Sequence, residues 1–266
     1  MISTYTLPSA PQPISRLLDA GTRLYTHTLR QVLPLSFAAN FVRQVPGLLM
    51  LPFGHSDKPP LVAALASSLL LFVAALLYIV LYLAAIARMW SFAKGGELSA
   101  RDAARDGYKA GVPCVIGGIL YILGLIAGLV LLIIPGIYLG LSLSLFMYLA
   151  ITEKLSAVAA LKRSHTLIRG HWWRSATIVT VPLVLLISLL LILQLVPMFI
   201  FGFDFKADEL DTKPLLALVL GLVGALISSV MQPWFNGIVL MLYHDLRLRL
   251  EGSDLEHRIA GLASEH

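Results

Sequence analysis

Charge is scarce in this chain: 13% of its 266 residues are Asp, Glu, Lys or Arg, and between Lys109 and Glu153 there is none. A water-soluble fold of this size could not bury a composition that is 58% hydrophobic with a mean hydropathy of +0.84, so most of that surface must face lipid. That composition argues against soluble enzyme classes. Cysteine is nearly missing too, and the single Cys114 rules out an intramolecular disulfide or a thiolate metal site within one chain. Acids are absent from the long apolar runs, which argues against proton coupling through the core. No basic stretch followed by an apolar core opens Met1 to Pro13, so no cleavable signal peptide is expected and the first helix should serve as an uncleaved anchor.

What is present is long uncharged segments. About 20 apolar residues at 1.5 Å rise cross a hydrocarbon core of roughly 30 Å. The runs 59–87, 175–203 and 214–244 each suffice for one crossing, and the run from Lys109 to Glu153 suffices for two, folded at Ile134-Pro135-Gly136-Ile137. The reading is an all-α integral membrane protein of six transmembrane helices, at about 33–51, 61–87, 112–134, 136–152, 175–201 and 214–243. Residues 1–32 form an N-terminal segment with an amphipathic helix, 33–243 one membrane domain, and 244–266 a tail.

Loop charge then sets orientation. Most of the 20 Lys and Arg fall before the first span, in the second and fourth loops, and in the tail. Only Lys58, Lys206 and Lys213 fall in the opposite loops, with Arg43 inside the first span. Both termini are therefore expected in the cytoplasm. This bias also accounts for the basic pI near 9.4 without a nucleic-acid partner. Trp90 and His171-Trp172-Trp173 stand at span borders, where indole rings favour the headgroup region.

Each pair of spans follows a basic, helix-permissive stretch: Ser15 to Arg30, Ser99 to Lys109 and Ser156 to Arg169. A threefold repeat of surface helix plus two spans is one reading of this pattern, and three ordinary basic loops the other. In the third stretch Ala157, Leu161, Ser164, Ile168 and Trp172 share one helical face. That face should sink into the acyl boundary while Lys162, Arg163 and Arg169, with Arg174 beyond, meet anionic headgroups.

Within the bilayer, Gly124 with Gly128 and Gly136 with Gly140 carry small-xxx-small spacing, one pair in each arm of the central hairpin, suited to close packing inside the monomer or to a homodimer seam. Arg43 is the oddity of the first span, with Asn40 and Gln44 beside it. A charge at that depth needs a partner, a polar crevice or a route for its side chain to the surface. Gln194 in the fifth span and Gln232 and Asn236 in the sixth complete a candidate polar strip with Arg43. Metal-ligand spacing, Walker and nucleophile-elbow patterns are all missing, so no catalytic residue, cofactor or metal is assigned. The tail holds two i,i+4 pairs of opposite sign, Asp245 with Arg249 and Arg247 with Glu251, before a stop expected at Gly252. These four residues are candidates for docking a partner.

Ile134-Pro135-Gly136-Ile137-Tyr138, Glu153, Ala160-Leu161-Lys162-Arg163-Ser164, Gly170-His171-Trp172-Trp173 and the ending Tyr243-x-Asp245-Leu246-Arg247-x-Arg249-x-Glu251-Gly252-x-Asp254-Leu255-Glu256 resemble a family. It is that of the uncharacterised bacterial YciC-like inner-membrane proteins and the membrane domain of some glycerophosphodiester phosphodiesterases. The resemblance covers about 130–175 and 240–256, and elsewhere rests on hydropathy. It implies a bacterial inner membrane and a connection to lipids or the envelope. It carries over no enzyme activity, because in such relatives the chemistry lies in an appended soluble domain. The expected function is a lipid- or partner-binding membrane module that contacts anionic headgroups on the cytoplasmic side and pairs with a protein partner or a second copy. The alternative is a transporter or lipid translocator using the strip around Arg43.

Overall fold

The computed structural model describes residues 5–50, 61–201 and 214–264. Within them the chain is helical and no strand occurs: α1 (Ile14–Val42), α2 (Val45–Met50), α3 (Leu61–Ala93), α4 (Ala100–Leu131), α5 (Ile133–Ser142), α6 (Phe146–Thr152), α7 (Ala157–Arg169), α8 (Trp172–Phe201) and α9 (Pro214–Ser264). Five helical segments are long and apolar enough to cross a membrane, at Ala64–Ala93, Ala100–Leu131, Ile133–Thr152, Trp172–Leu193 and Leu218–Gly252. The protein is thus a multi-pass helical membrane protein. Its outward surface supports this: Ile134 and Val130 are each 80% exposed, a state that lipid but not water makes cheap. The loops holding Lys58 and Asp204 to Lys213 lie outside the described residues.

The predicted first span, 33–51, is not among those five, and its sequence shows why. Asn40, Arg43 and Gln44 dilute it, and α1 ends at Val42, with Arg43 as its cap and a short α2 beyond. Residues 15–30, expected as a surface helix of their own, are the first half of α1, and residues 99–109 likewise run unbroken into α4. Only the third such stretch is a separate helix, α7. Ser99 starts α4 by accepting the Asp102 amide at 3.1 Å and donating to its carboxylate at 2.7 Å. Gly95, at φ 76°, closes α3 with the left-handed residue such ends favour.

α1 packs antiparallel along α9. Leu17, Ala20, Leu24, Thr28, Val32, Ser36 and Asn40 form its buried stripe at spacings of three and four. The two backbones nearly touch where a Cβ on Gly21 would lie 2.6 Å from the Ile238 Cα, and one on Gly237 would lie 2.7 Å from the Gly21 carbonyl oxygen. Further along, Ser229 Oγ donates to Ser36 O, and the Gln44 amide donates to Gly221 O at 3.2 Å. A similar crossing joins α3 to α4 at Gly107, whose Cβ would stand 2.4 Å from Val80 O.

The central hairpin turns two residues before the place predicted. Leu132 is the extended link (φ −168°, ψ 148°), and Pro135-Gly136 lie in the first turn of α5. There a missing proline N–H costs nothing, because the first amides of a helix have no partner in any case. Gly128 and Gly136 meet across this hairpin, a Cβ on the former being 2.8 Å from the Cα of the latter. Gly140 sits against Leu125, whereas Gly124 makes only ordinary contact with Leu143.

Residues 143–145 interrupt the α5–α6 segment, and α7 repairs the break. The buried Ser164 hydroxyl donates to Ser142 O at 2.8 Å and accepts the Leu145 amide at 3.2 Å. The apolar face of α7 is therefore committed to protein and not to the acyl boundary: Ala157, Ala160, Leu161, Leu167 and Ile168 are buried. Lipid could not offer the hydrogen bonds that this break requires. Two predicted interfacial indoles pack against protein instead, Trp90 buried and Trp172 half-buried. Trp90 is 6% exposed and meets Tyr243 edge-on at 5.4 Å, and Trp172 donates to Tyr138 O at 3.3 Å. Trp173, 81% exposed, is the one that projects outward.

Candidate functional site

Two polar assemblies stand out, one between the helices and one at the end of the bundle that carries most of the cations. The first begins on α9, where Gln232 and Asn236 are one helical turn apart. Gln232 accepts from Asn40 Nδ2 of α1 at 3.2 Å and donates to the Tyr78 hydroxyl of α3 at 2.7 Å. Asn236 Oδ1 accepts two hydroxyls, Tyr82 of α3 at 3.0 Å and Tyr148 of α6 at 2.8 Å. The Tyr78 and Tyr82 rings stack 6.0 Å apart, and the Arg43 guanidinium lies 5.7 Å from the Tyr78 ring centre.

Arg43, Gln232 and Asn236, which the sequence singled out, thus belong to one chain of contacts; the side chain of Gln194 lies outside the described residues. Arg43 is exposed and not sunk in a crevice, because α1 ends there and frees its side chain. Tyr78, Tyr82 and Tyr148 were missed. A signal for them existed: Ser36 and Asn40, Tyr78 and Tyr82, and Gln232 and Asn236 each repeat a polar group at i,i+4 on a separate span. Chemically the assembly is a closed set of neutral hydrogen bonds that ties four helices, each bond in such surroundings being worth about 0.6 kcal/mol on average.

The second assembly gathers around Asp245, 3% exposed on α9. Its carboxylate accepts from Arg174 Nε and Nη2 at 3.2 and 3.1 Å, from Arg249 Nε at 2.8 Å, and from the Gln12 amide at 2.7 Å. The Gln12 carbonyl in turn accepts from both guanidiniums. Residues before α1 therefore lie as a strap over α9 at His244 and Asp245. His244 Nε2 is 2.9 Å from Pro8 O, and the Tyr5 hydroxyl donates to Ala20 O at 3.2 Å. Burial pushes Tyr5 up to about 12, with the Asp19 carboxylate adding to the shift and the Arg23 guanidinium opposing it. His171, at the α7–α8 junction, is held below its usual value by burial first and then by the Arg249 and Arg174 cations, against the pull of Asp245. It borders a cleft of about 480 Å³ with Pro11, Thr166, Leu246 and Arg249. Glu153 accepts from the Tyr243 hydroxyl at 2.9 Å and pairs with Arg163 at 3.5 Å.

The predicted headgroup contacts accordingly divide. Lys162 and Arg169 are exposed, whereas Arg163 and Arg174 are spent on Glu153 and Asp245. So do the predicted docking residues. Asp245 and Arg249 are committed to the strap, and Arg247 and Glu251 pair at 2.6 Å on an exposed face. Gly252 does not stop the helix, since α9 runs on to Ser264. Both i,i+4 pairs form, and that of Asp245 is also covered by Gln12 and Arg174, 233 and 71 positions away in sequence. Cys114 is free and buried. Among the described residues no group of three His, Cys, Asp or Glu is placed to hold a metal ion. Comparison with protein-family models, with curated proteins and with solved structures finds no match for this chain.

Proposed function

We propose that this chain is a non-catalytic module of the bacterial inner membrane, connected to envelope function, which holds lipid headgroups or a protein partner at its basic end. In this reading it has six crossings and keeps both termini in the cytoplasm. The first crossing belongs to α1. With its flanking residues Gln12 and Gln44 it follows α9 between Asp245 and Gly221, 24 residues or about 36 Å of helix, so it reaches as deep as a helix that crosses. Its buried polar residues Thr28, Ser36 and Asn40 and its exposed Arg16, Asp19, Arg23 and Arg30 together lower its hydropathy. The resemblance to YciC-like proteins is part of the same proposal.

The observation that carries the reading is where cations stay free. Arg101, Arg105, Lys109, Lys154, Lys162 and Arg169 are exposed at one end with no ion pair among the described residues. Near-surface cations of this kind gain about 1 kcal/mol each from anionic lipid. Asn40, Gln232, Asn236 and the hydroxyls of Tyr78, Tyr82 and Tyr148, by contrast, are occupied by one another. Gentle extraction followed by native mass spectrometry tests the proposal. A stoichiometric lipid or protein partner supports it, and a bare chain under all mild conditions refutes it.

One observation favours a second reading, a lipid translocator: Arg43 is exposed against the ring of Tyr78, where the hydrogen-bonded set begins. Arg43→Leu separates the two. A binding module keeps or gains stability, since a charge near lipid is removed, whereas a translocator loses lipid movement in reconstituted vesicles while still inserting.

A further inference from the structure

A cavity of about 190 Å³, the liquid volume of about six waters, lies between α4 and the link from α6 to α7. Asp106, Lys109 and Lys154 stand at its rim, and Pro113, Ile151 and Leu155 give it apolar walls. It therefore sits where α4 passes from its charged first turns to its uncharged run, the depth of lipid headgroups. Below it, Ile116 and Leu120 continue the exposed face of α4 that Lys109 and Pro113 begin, a surface on which acyl chains can lie.

Two ammonium groups and a carboxylate border this space, yet no ion pair joins them. The backbone adds a third feature. Pro113 has no N–H to return to the Lys109 carbonyl one turn earlier, so an acceptor is left over on the same wall. Lys154 reaches the site from a left-handed conformation, φ 55°, which a glycine would adopt more readily and which places a cation there instead.

We infer that this cavity binds a phosphodiester that also bears a primary ammonium, the headgroup chemistry of phosphatidylethanolamine. The phosphate lies between Lys109 and Lys154. The ammonium donates to Asp106 and to the spare Lys109 carbonyl, so every charge on the rim gains a partner. A purely anionic headgroup would set a second negative charge beside Asp106, and a choline headgroup has no N–H to donate. The inference rests on the reading that the basic end takes headgroups, and it names the lipid and the place.

The test uses the delipidated full-length chain in detergent, titrated with equal amounts of phosphatidylethanolamine, phosphatidylglycerol and phosphatidylcholine and read by native mass spectrometry. One phosphatidylethanolamine should be retained about tenfold over either competitor, the size of one charge-assisted hydrogen bond. Asp106→Asn should remove that preference while phosphatidylglycerol still binds. Lys109→Gln with Lys154→Gln should weaken both, and Arg23→Gln, on α1 outside the cavity and paired with Asp19, should change neither. Soluble glycerophosphoethanolamine, the same phosphodiester without acyl chains, supplies the other arm: binding as tight as the lipid makes a free metabolite the ligand, and weaker binding makes it the lipid. Lipid retained without this ranking, or a ranking that survives Asp106→Asn, overturns the inference and leaves the headgroup reading standing. Retention of no lipid at all overturns both.

Discussion

Replacing Asp245 by Asn keeps the size of the side chain and removes the one negative charge that two guanidiniums share. Arg174 and Arg249 are only 17% and 27% exposed, so they cannot recover full hydration. Breaking a buried ion pair costs about 3–5 kcal/mol, and because some water reaches both arginines the lower end applies, about 3 kcal/mol. For a chain of this length that is about 6–12 °C of melting temperature. The control is Arg247→Gln. Its partner Glu251 and Arg247 itself are 49% and 41% exposed, and such i,i+4 pairs contribute about 0.5 kcal/mol or less. Both variants should be melted in the same detergent, with backbone hydrogen exchange followed over residues 5–13. Asp245→Asn should release the strap, since the Gln12 amide and carbonyl are both tied to this cluster. A double-mutant cycle with Arg174→Met should return a coupling above about 1 kcal/mol. If Asp245→Asn melts with Arg247→Gln and the strap stays protected, the reasoning is wrong.

Ser164→Ala should cost about 1–3 kcal/mol, because it orphans Ser142 O and Leu145 N–H together; loss of less than 0.5 kcal/mol in chemical or thermal unfolding would show that the break at 143–145 satisfies itself. Gly107→Ala should destabilise by about 1–3 kcal/mol by forcing α3 from α4, while Gly118→Ala, whose Cβ would meet nothing nearer than 4.0 Å, should be neutral or gain up to about 1 kcal/mol from helix propensity; equal melting temperatures would refute the crossing. His171 is harder to protonate in the folded chain than its ordinary value of 6.5. Its contribution is therefore intact above pH 6.5 and is lost as pH falls through that value toward the lowered one. His171→Gln should flatten the acid side of the stability profile, and an unchanged slope between the two chains would show that the site is open to water.

Membrane class, helical content and the gathering of cations at one end were legible in the sequence because each depends on composition along one segment. The paired charges of the tail were legible for the same reason, since spacing of four fixes adjacency on a helix without reference to anything else. Which face finds which neighbour is a different kind of fact. Asp245 and Arg247 have almost the same local pattern, yet one is buried under the strap and the other is exposed, and the difference lies in Gln12 and Arg174, distant in sequence. Tyr82 and Tyr148 read as two more aromatic residues in apolar helices until α3 and α6 bring both hydroxyls to Asn236. The stripe on α7 likewise announced an amphipathic helix, and periodicity cannot say whether lipid or protein covers it. Tertiary packing decided that, because the backbone groups opened at residues 143–145 had to be satisfied away from water, and Ser164 was placed to do so.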